Sequence, residues 1–217
     1  MELVVLLDVD NTLLDNDRVK ADIASALEGA LGDARAQRFW ELYDSVRVDA
    51  DVVDYPETLR RFVAEDASDG DVVAGIVGGI RFSDYLYPGA LDAIAGCWEL
   101  GTPVVLSDGD PVYQVAKIAR AGITTAVRGN VLVYDHKERH LDDVRERYPA
   151  DRYAMVDDKA AILSRMKALL GPALVTLHVQ QGHYAGEPPD GPPPDRSIAS
   201  IGELAPALRE ELGVAAG

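Results

Sequence analysis

Cysteine is almost absent from this 217-residue chain. Cys97 stands alone, which excludes an intrachain disulfide and a thiolate metal cluster; set between Ile94 and Trp98, it reads as a small core residue. Basic residues are scarce too, 21 against 37 acidic ones, giving a formal net charge of −16 and a pI near 4.5. Nucleic acids and anionic membranes are reached through basic surface, so neither is an expected partner. An anionic small molecule must then be met by local positive charge, and a bound divalent cation is a natural supplier. No apolar run approaches the roughly 18 residues of a membrane span, and Met1-Glu2 leads into an apolar run with no basic segment or cleavage site before it. These features predict a soluble cytoplasmic protein. There is no internal repeat, and no Gly-x-Gly-x-x-Gly follows a strand, so a dinucleotide site has no support.

What the chain does have begins at its first residues, MELVVLLDVDNTLLDND. Five apolar residues, Leu3 to Leu7, run straight into Asp8, Asp10 and Thr12. Such a run reads as a strand buried on both faces, as in a parallel sheet, and it delivers two carboxylates where the strand ends. In open parallel sheets, ligands sit in the crevice beyond the carboxyl ends of the strands. Taken alone, the two acids equally fit an aspartate-rich turn that stops a strand.

Residues 15–86 read as about four helices with no strand among them. Asp17 is placed to cap the first, whose apolar positions Val19, Ile23, Leu27 and Leu31 recur at helical spacing before Gly32. Asp33 begins the second, Pro56 opens the third and Ser68 precedes the fourth. From Pro88 onward strands alternate with helices. Apolar strands are expected at Pro103–Leu106, Val131–Tyr134, Tyr153–Val156, Ala173–Val179 and Ser197–Ile201. Asp110-Pro111 starts a helix with Val112, Val115 and Ala119 on one face, and Glu203–Leu212 closes the chain. This alternation predicts an α/β fold with a doubly wound parallel sheet. Residues 1–14 and 87–217 form its core, and 15–86 an inserted helical module overhanging the crevice. Gly182 to Asp195, GHYAGEPPDGPPPD, reads as a surface loop.

Four strand ends now carry, in chain order, Asp8 with Asp10, Ser107, Lys137, and Asp157 with Asp158. That order resembles the four motifs of the haloacid dehalogenase-like (HAD) superfamily: Asp-x-Asp, Ser or Thr, Lys or Arg, and a pair of acids. The resemblance covers essentially the whole chain, with 15–86 similar to the helical cap found after the first motif. It implies a Mg²⁺-dependent phosphatase acting on a small phosphorylated metabolite. Asp8 would be the nucleophile, ionised at neutral pH without help from a base, and Asp10 the general acid and base. Ser107, Asp108 and Gly109, with N–H groups at the following helix start, would bind phosphate. Lys137 would neutralise nucleophile and phosphoryl oxygens. Asp8, Asp157, Asp158 and the carbonyl of Asp10 would ligate Mg²⁺.

Each motif has a plainer reading. Ser107 equally caps a helix, Lys137 sits in a charged stretch where solvated lysines are common, and Asp157-Asp158 suits a helix start; two adjacent acids ending an apolar strand are nonetheless costly without a cation. Asp108 and Asp110 add negative charge beside a phosphate site, and the sequence does not choose among their roles. His183 and Tyr184 fit either a substrate rim or an ordinary turn. Within the superfamily, a phosphomutase shares the whole core and is the alternative. A dehalogenase does not use the acid/base group that Asp10 supplies, and phosphonate hydrolysis resembles a cap-lysine chemistry for which only Lys20 is present. Outside it, a phosphoacceptor receiver has its acids in the reverse order, and a silent Mg²⁺-binding scaffold would not need Asp10. Tyr43, Arg47, Arg60 and Tyr85 are the candidate specificity residues of the helical module, and Leu14 to Asp17 with Ser83 to Pro88 its hinges. Neither substrate nor oligomeric state is legible.

Overall fold

A computed structural model describes residues 2–50 and 55–214; residues 51–54, inside the segment expected to be helical, lie outside that range. Six strands form one sheet: β1 (Leu3–Leu7), β2 (Thr102–Asp108), β3 (Val131–Tyr134), β4 (Arg152–Asp157), β5 (Leu174–Val179) and β6 (Arg196–Ile198). Their order is β3-β2-β1-β4-β5-β6 and every pairing is parallel. The chain winds outward from β1 through β3, then resumes on the other side of β1 with β4. That reversal makes the end of β1 the switch point where a crevice opens. Side chains of a strand alternate between faces, so Leu3, Val5 and Leu7 join one apolar cluster while Val4 and Leu6 join the other.

Between β1 and β2 lie α1 (Asn16–Leu31), α2 (Asp33–Ala50), α3 (Tyr55–Glu65) and α4 (Gly70–Gly79). Their apolar side chains, Phe39 and Phe62 among them, are continuous with the cluster on one face of the sheet. Asp15, not Asp17, caps α1, accepting from the Arg18 N–H at 2.9 Å. Asp17 falls in the first turn, where its carboxylate serves a different partner. The outgoing and returning chain run side by side: the Asp15 N–H donates to the Tyr85 carbonyl at 2.8 Å and the Tyr87 N–H to Leu13 at 3.0 Å. Leu14 and Leu86 pair antiparallel. Both connections to the helical segment therefore share one hydrogen-bonded neck.

The sheet is covered further by α5 (Ala90–Trp98), α6 (Pro111–Arg120), α7 (Ile123–Ala126), α8 (Leu141–Arg147), α9 (Ala160–Leu170) and α10 (Leu204–Leu212). Helix α6 differs from expectation. Val112 and Val115 are 75% and 43% exposed, whereas Gln114, Lys117 and Ile118 are buried. The helix begins at the end of β2, so its inward face meets the carboxylate of Asp10 through Lys117 as well as the apolar core through Ile118. No helix among the described residues is long and apolar enough to cross a membrane.

Candidate active site

Asp8 leaves β1 at the level where β4 ends, its N–H donating to the Val156 carbonyl at 3.0 Å. Lys137 reaches it from the turn after β3. That turn is held by Asp108, whose carboxylate accepts the Lys137 N–H at 2.7 Å. The Lys137 Nζ lies 2.5 Å from Asp8 Oδ1, 2.6 Å from Asp157 Oδ2 and 3.9 Å from Asp108 Oδ2. Burial works against its charge, but Asp157, Asp8 and Asp108 outweigh it and raise the ammonium well above its usual range. Asp157 also accepts the Lys159 N–H at 2.8 Å. Both carboxylate oxygens of Asp158 are buried without a hydrogen-bond partner. Ligand atoms of Asp8, Asp157 and Asp158 lie within 4.8 Å of one another. Burial lifts Asp8 to about 7 against the pull of Lys137, and lifts Asp158 to about 9, helped by Asp157 and Asp8.

Asp10 belongs to a separate corner. Buried Lys117 donates from Nζ to Asp10 Oδ1 and, at 2.9 Å, to Asn16 Oδ1. The Gln114 amide donates to Ser107 Oγ at 2.9 Å and reaches Asp10 Oδ2 at 3.4 Å. Helix α6 thus ties the second acid of the first motif to the serine of the second. The carboxylate of Asp10 is not among the three whose ligand atoms gather within 4.8 Å of one another. Three N–H groups around the start of α6 already have partners: Gly109 donates to the Tyr134 carbonyl at 3.0 Å, and Val112 and Tyr113 donate to Asp110 Oδ1. Asp110 is a helix cap and Asp108 a clamp on the Lys137 turn, which settles the two acids the sequence left open.

A cavity of about 580 Å³ opens over these groups, lined by Asp8, Asp10, Ser107, Asp108 and Gly109; Lys137, 1% exposed, stands behind Asp8. Of the four specificity candidates on the helical segment, Arg47 lines it and Tyr43 is buried. Arg60 instead pairs with Glu57, and the Tyr85 hydroxyl donates to Asp22. His183 lines the cavity and ties to Asp17, through Nδ1 at 2.7 Å and its N–H at 2.9 Å. Sequence reasoning missed Gln114, Lys117, Tyr55 and Tyr113 as lining residues. The available signal was the i,i+3 pair Gln114 and Lys117 on the same face as Ile118, since a helix rarely buries two such side chains without a partner for them.

Among solved structures, the chain is similar to a haloacid dehalogenase-like hydrolase of Burkholderia xenovorans LB400, with 40% identity over 97% of this chain and 98% of that one, at a TM-score of 0.89. The chain belongs to the haloacid dehalogenase-like hydrolases. More distant likenesses include the L-2-haloacid dehalogenase of Xanthobacter autotrophicus (17% identity, 96% and 99% coverage, TM-score 0.63) and the magnesium-bound HAD-hydrolase YfnB of Bacillus subtilis (15%, 98% and 99%, 0.64); at such identities they speak for the fold alone. No family model and no curated protein matches the chain.

The donor set of this HAD-like hydrolase fits a hard divalent cation. Three buried carboxylates gather with oxygens only, and the two oxygens of Asp158 have no other partner. Carboxylate oxygens are what Mg²⁺ takes as ligands, and a cation there would remove the repulsion that now holds protons on Asp8 and Asp158.

Proposed function

We propose that this HAD-like hydrolase is a Mg²⁺-dependent phosphatase that cleaves a small phosphorylated metabolite, with residues 15–86 acting as a cap over the site. The observation that carries the reading is the buried trio Asp8, Asp157 and Asp158, with Asp158 unpaired, beside a second carboxylate, Asp10, that faces the cavity. Asp8, Asp157 and Asp158 would hold the ion, which when bound supplies the positive charge that lets a carboxylate approach an anionic phosphoryl group. The Asp8 carboxylate attacks phosphorus and forms an aspartyl phosphate while the ester oxygen leaves. Asp10 gives that oxygen its proton, then takes one from the water that hydrolyses the intermediate. Ser107 and Lys137 position and neutralise the phosphoryl oxygens, which is most of what this reaction asks of a protein. The shared neck at Asp15 and Tyr85 is the place for the cap to move, and its closure excludes bulk water.

The test is phosphate release from a panel of phosphate monoesters, p-nitrophenyl phosphate included, with Mg²⁺ and again with EDTA. Release that disappears on chelation supports the reading. Halide release from 2-chloropropionate that ignores EDTA, with no phosphate released from any ester, overturns it. Recovery of an isomerised sugar phosphate in place of inorganic phosphate assigns the site to the mutase alternative.

A further inference from the structure

Not every cation that lines the cavity is taken up by a carboxylate. Of the lining carboxylates, Asp8 and Asp108 share Lys137, Asp10 faces Lys117 and Glu138 faces Arg165 as ion-pair partners. Three lining cations are left: Lys159, Lys20 and Arg47. Lys159 follows the acidic pair directly and acts electrostatically on Asp157 and Asp8, so it belongs to the phosphoryl end. Lys20 on α1 and Arg47 on α2 belong to the other end, beyond Asp10, and neither makes an ion pair among the described residues.

From this we infer that the substrate carries a second anionic group on its leaving portion, a carboxylate or a second phosphate, which Lys20 and Arg47 bind across the cavity from Asp8. The inference rests on the phosphatase reading. A phosphoryl group on Asp8 places the ester oxygen beside Asp10, so whatever that oxygen is bonded to extends toward α1 and α2. Tyr55 and Tyr113, ring centroids 5.0 Å apart, line the same cavity. Lys20 is half-buried, its Nζ 5.5 Å from the centre of the Tyr43 ring. Burial depresses its ammonium, while Asp10 and Asp17 pull the other way. A half-buried cation held without a bound counter-ion is costly, and an arriving anion removes that cost. Arg47 is exposed at the rim, where a guanidinium can take a carboxylate or phosphate in a two-point contact. In a chain with net charge −16, two adjoining cations facing a cavity are the feature that would admit a dianionic or trianionic substrate.

Phosphonates separate this subsite from turnover, because their carbon–phosphorus bond is not hydrolysed by ester chemistry. Calorimetric titration of the wild-type protein with Mg²⁺ would compare three ligands of equal chain length: an ω-carboxyalkylphosphonate, an α,ω-bisphosphonate and the ω-carboxamide of the first. Both anionic ligands should bind at least about tenfold more tightly than the carboxamide, the size of a charge-assisted contact. The tighter of the two identifies the second group. Lys20→Gln and Arg47→Gln should each bring the ratio toward one, with circular dichroism confirming the fold. Equal affinity of wild type for the acid and its amide overturns the subsite even if phosphate esters are hydrolysed. A clear preference for the anionic ligands without phosphate release from any ester leaves the subsite standing and removes the phosphatase reading.

Discussion

Two buried lysines divide the work of one motif. Lys137 is 1% exposed and meets Asp8 and Asp157, both delivered by strand ends. Lys117 is 3% exposed and meets Asp10, whose side chain is one-third exposed, from a helix. The first pairing is locked into the sheet, which suits the nucleophile role proposed for Asp8, since a nucleophile must hold one line of attack. The second sits at the cavity mouth beside Asn16, the first residue of the helical segment. The acid/base role proposed for Asp10 requires it to serve two oxygens in turn, and on that proposal its position would let cap movement and the Asp10 contact change together. The difference predicts unequal costs. Asp8→Asn should abolish phosphate release, a loss on the order of 10³-fold or more. Its melting temperature should stay level or rise, since one of three crowded carboxylates is neutralised. Full activity in that variant would remove the nucleophile assignment.

Lys137→Met comes next. It leaves Asp8 and Asp157 buried without their cation, and the metal-free protein should lose about 3–5 kcal/mol in denaturant titration. Lys117→Met should cost less, about 1–2 kcal/mol, because water can reach Asp10, while kcat for ester hydrolysis falls. Equal stability losses would erase the distinction between the corners. Metal sharpens the comparison from the acidic side. In the metal-free protein Asp8 is raised to about 7 and Asp158 to about 9, both above the ordinary 3.8. The folded state then holds protons that the unfolded chain has released, so its stability falls as pH climbs from about 4 toward about 9. Mg²⁺ should raise the melting temperature more at about pH 8 than at about pH 5, with about 2.7 kcal/mol gained at a metal concentration 100 times Kd. A shift that does not depend on pH would mean the ion binds elsewhere.

The Lys137 corner was legible because everything in it hangs on strand ends. An apolar run that stops at a charged residue announces both the strand and the group it delivers, and Asp8, Asp157 and Asp158 follow that grammar, with Lys137 on the turn just after β3. The parallel sheet and its helical insertion followed from the same alternation of runs. The Lys117 corner was not legible for a matching reason. Gln114 and Lys117 interrupt a helix that already carries apolar residues on its other side, and hydrophobic periodicity assigned the core to Val112 and Val115. Capping at Asp17 was off by two residues, because Asp15 and Asp17 both suit a helix start and Asp17 instead meets His183. At the start of α6 the Gly109 N–H is taken by the Tyr134 carbonyl, a contact made across the fold that spacing alone does not reveal.

The smallest predicted effect tests that reversal of faces directly. If α6 truly turns its polar side inward, Val112 and Val115 contribute little burial, and Val112→Ser with Val115→Ser should each change unfolding free energy by no more than about 0.5 kcal/mol. Ile118, fully buried beside Gln114 and Lys117 in the same inward arc, should cost about 2–5 kcal/mol as Ile118→Ala, through lost transfer energy and the cavity left behind. The contrast is the informative quantity. A helix that packed its valines would show large losses at all three positions, and Lys117 would then be free to leave Asp10. Near-silence at the valines with a clear loss at Ile118 means the lysine is held in place by the same packing that seats the helix, so the orientation of Asp10 is set by the core rather than by the solvent.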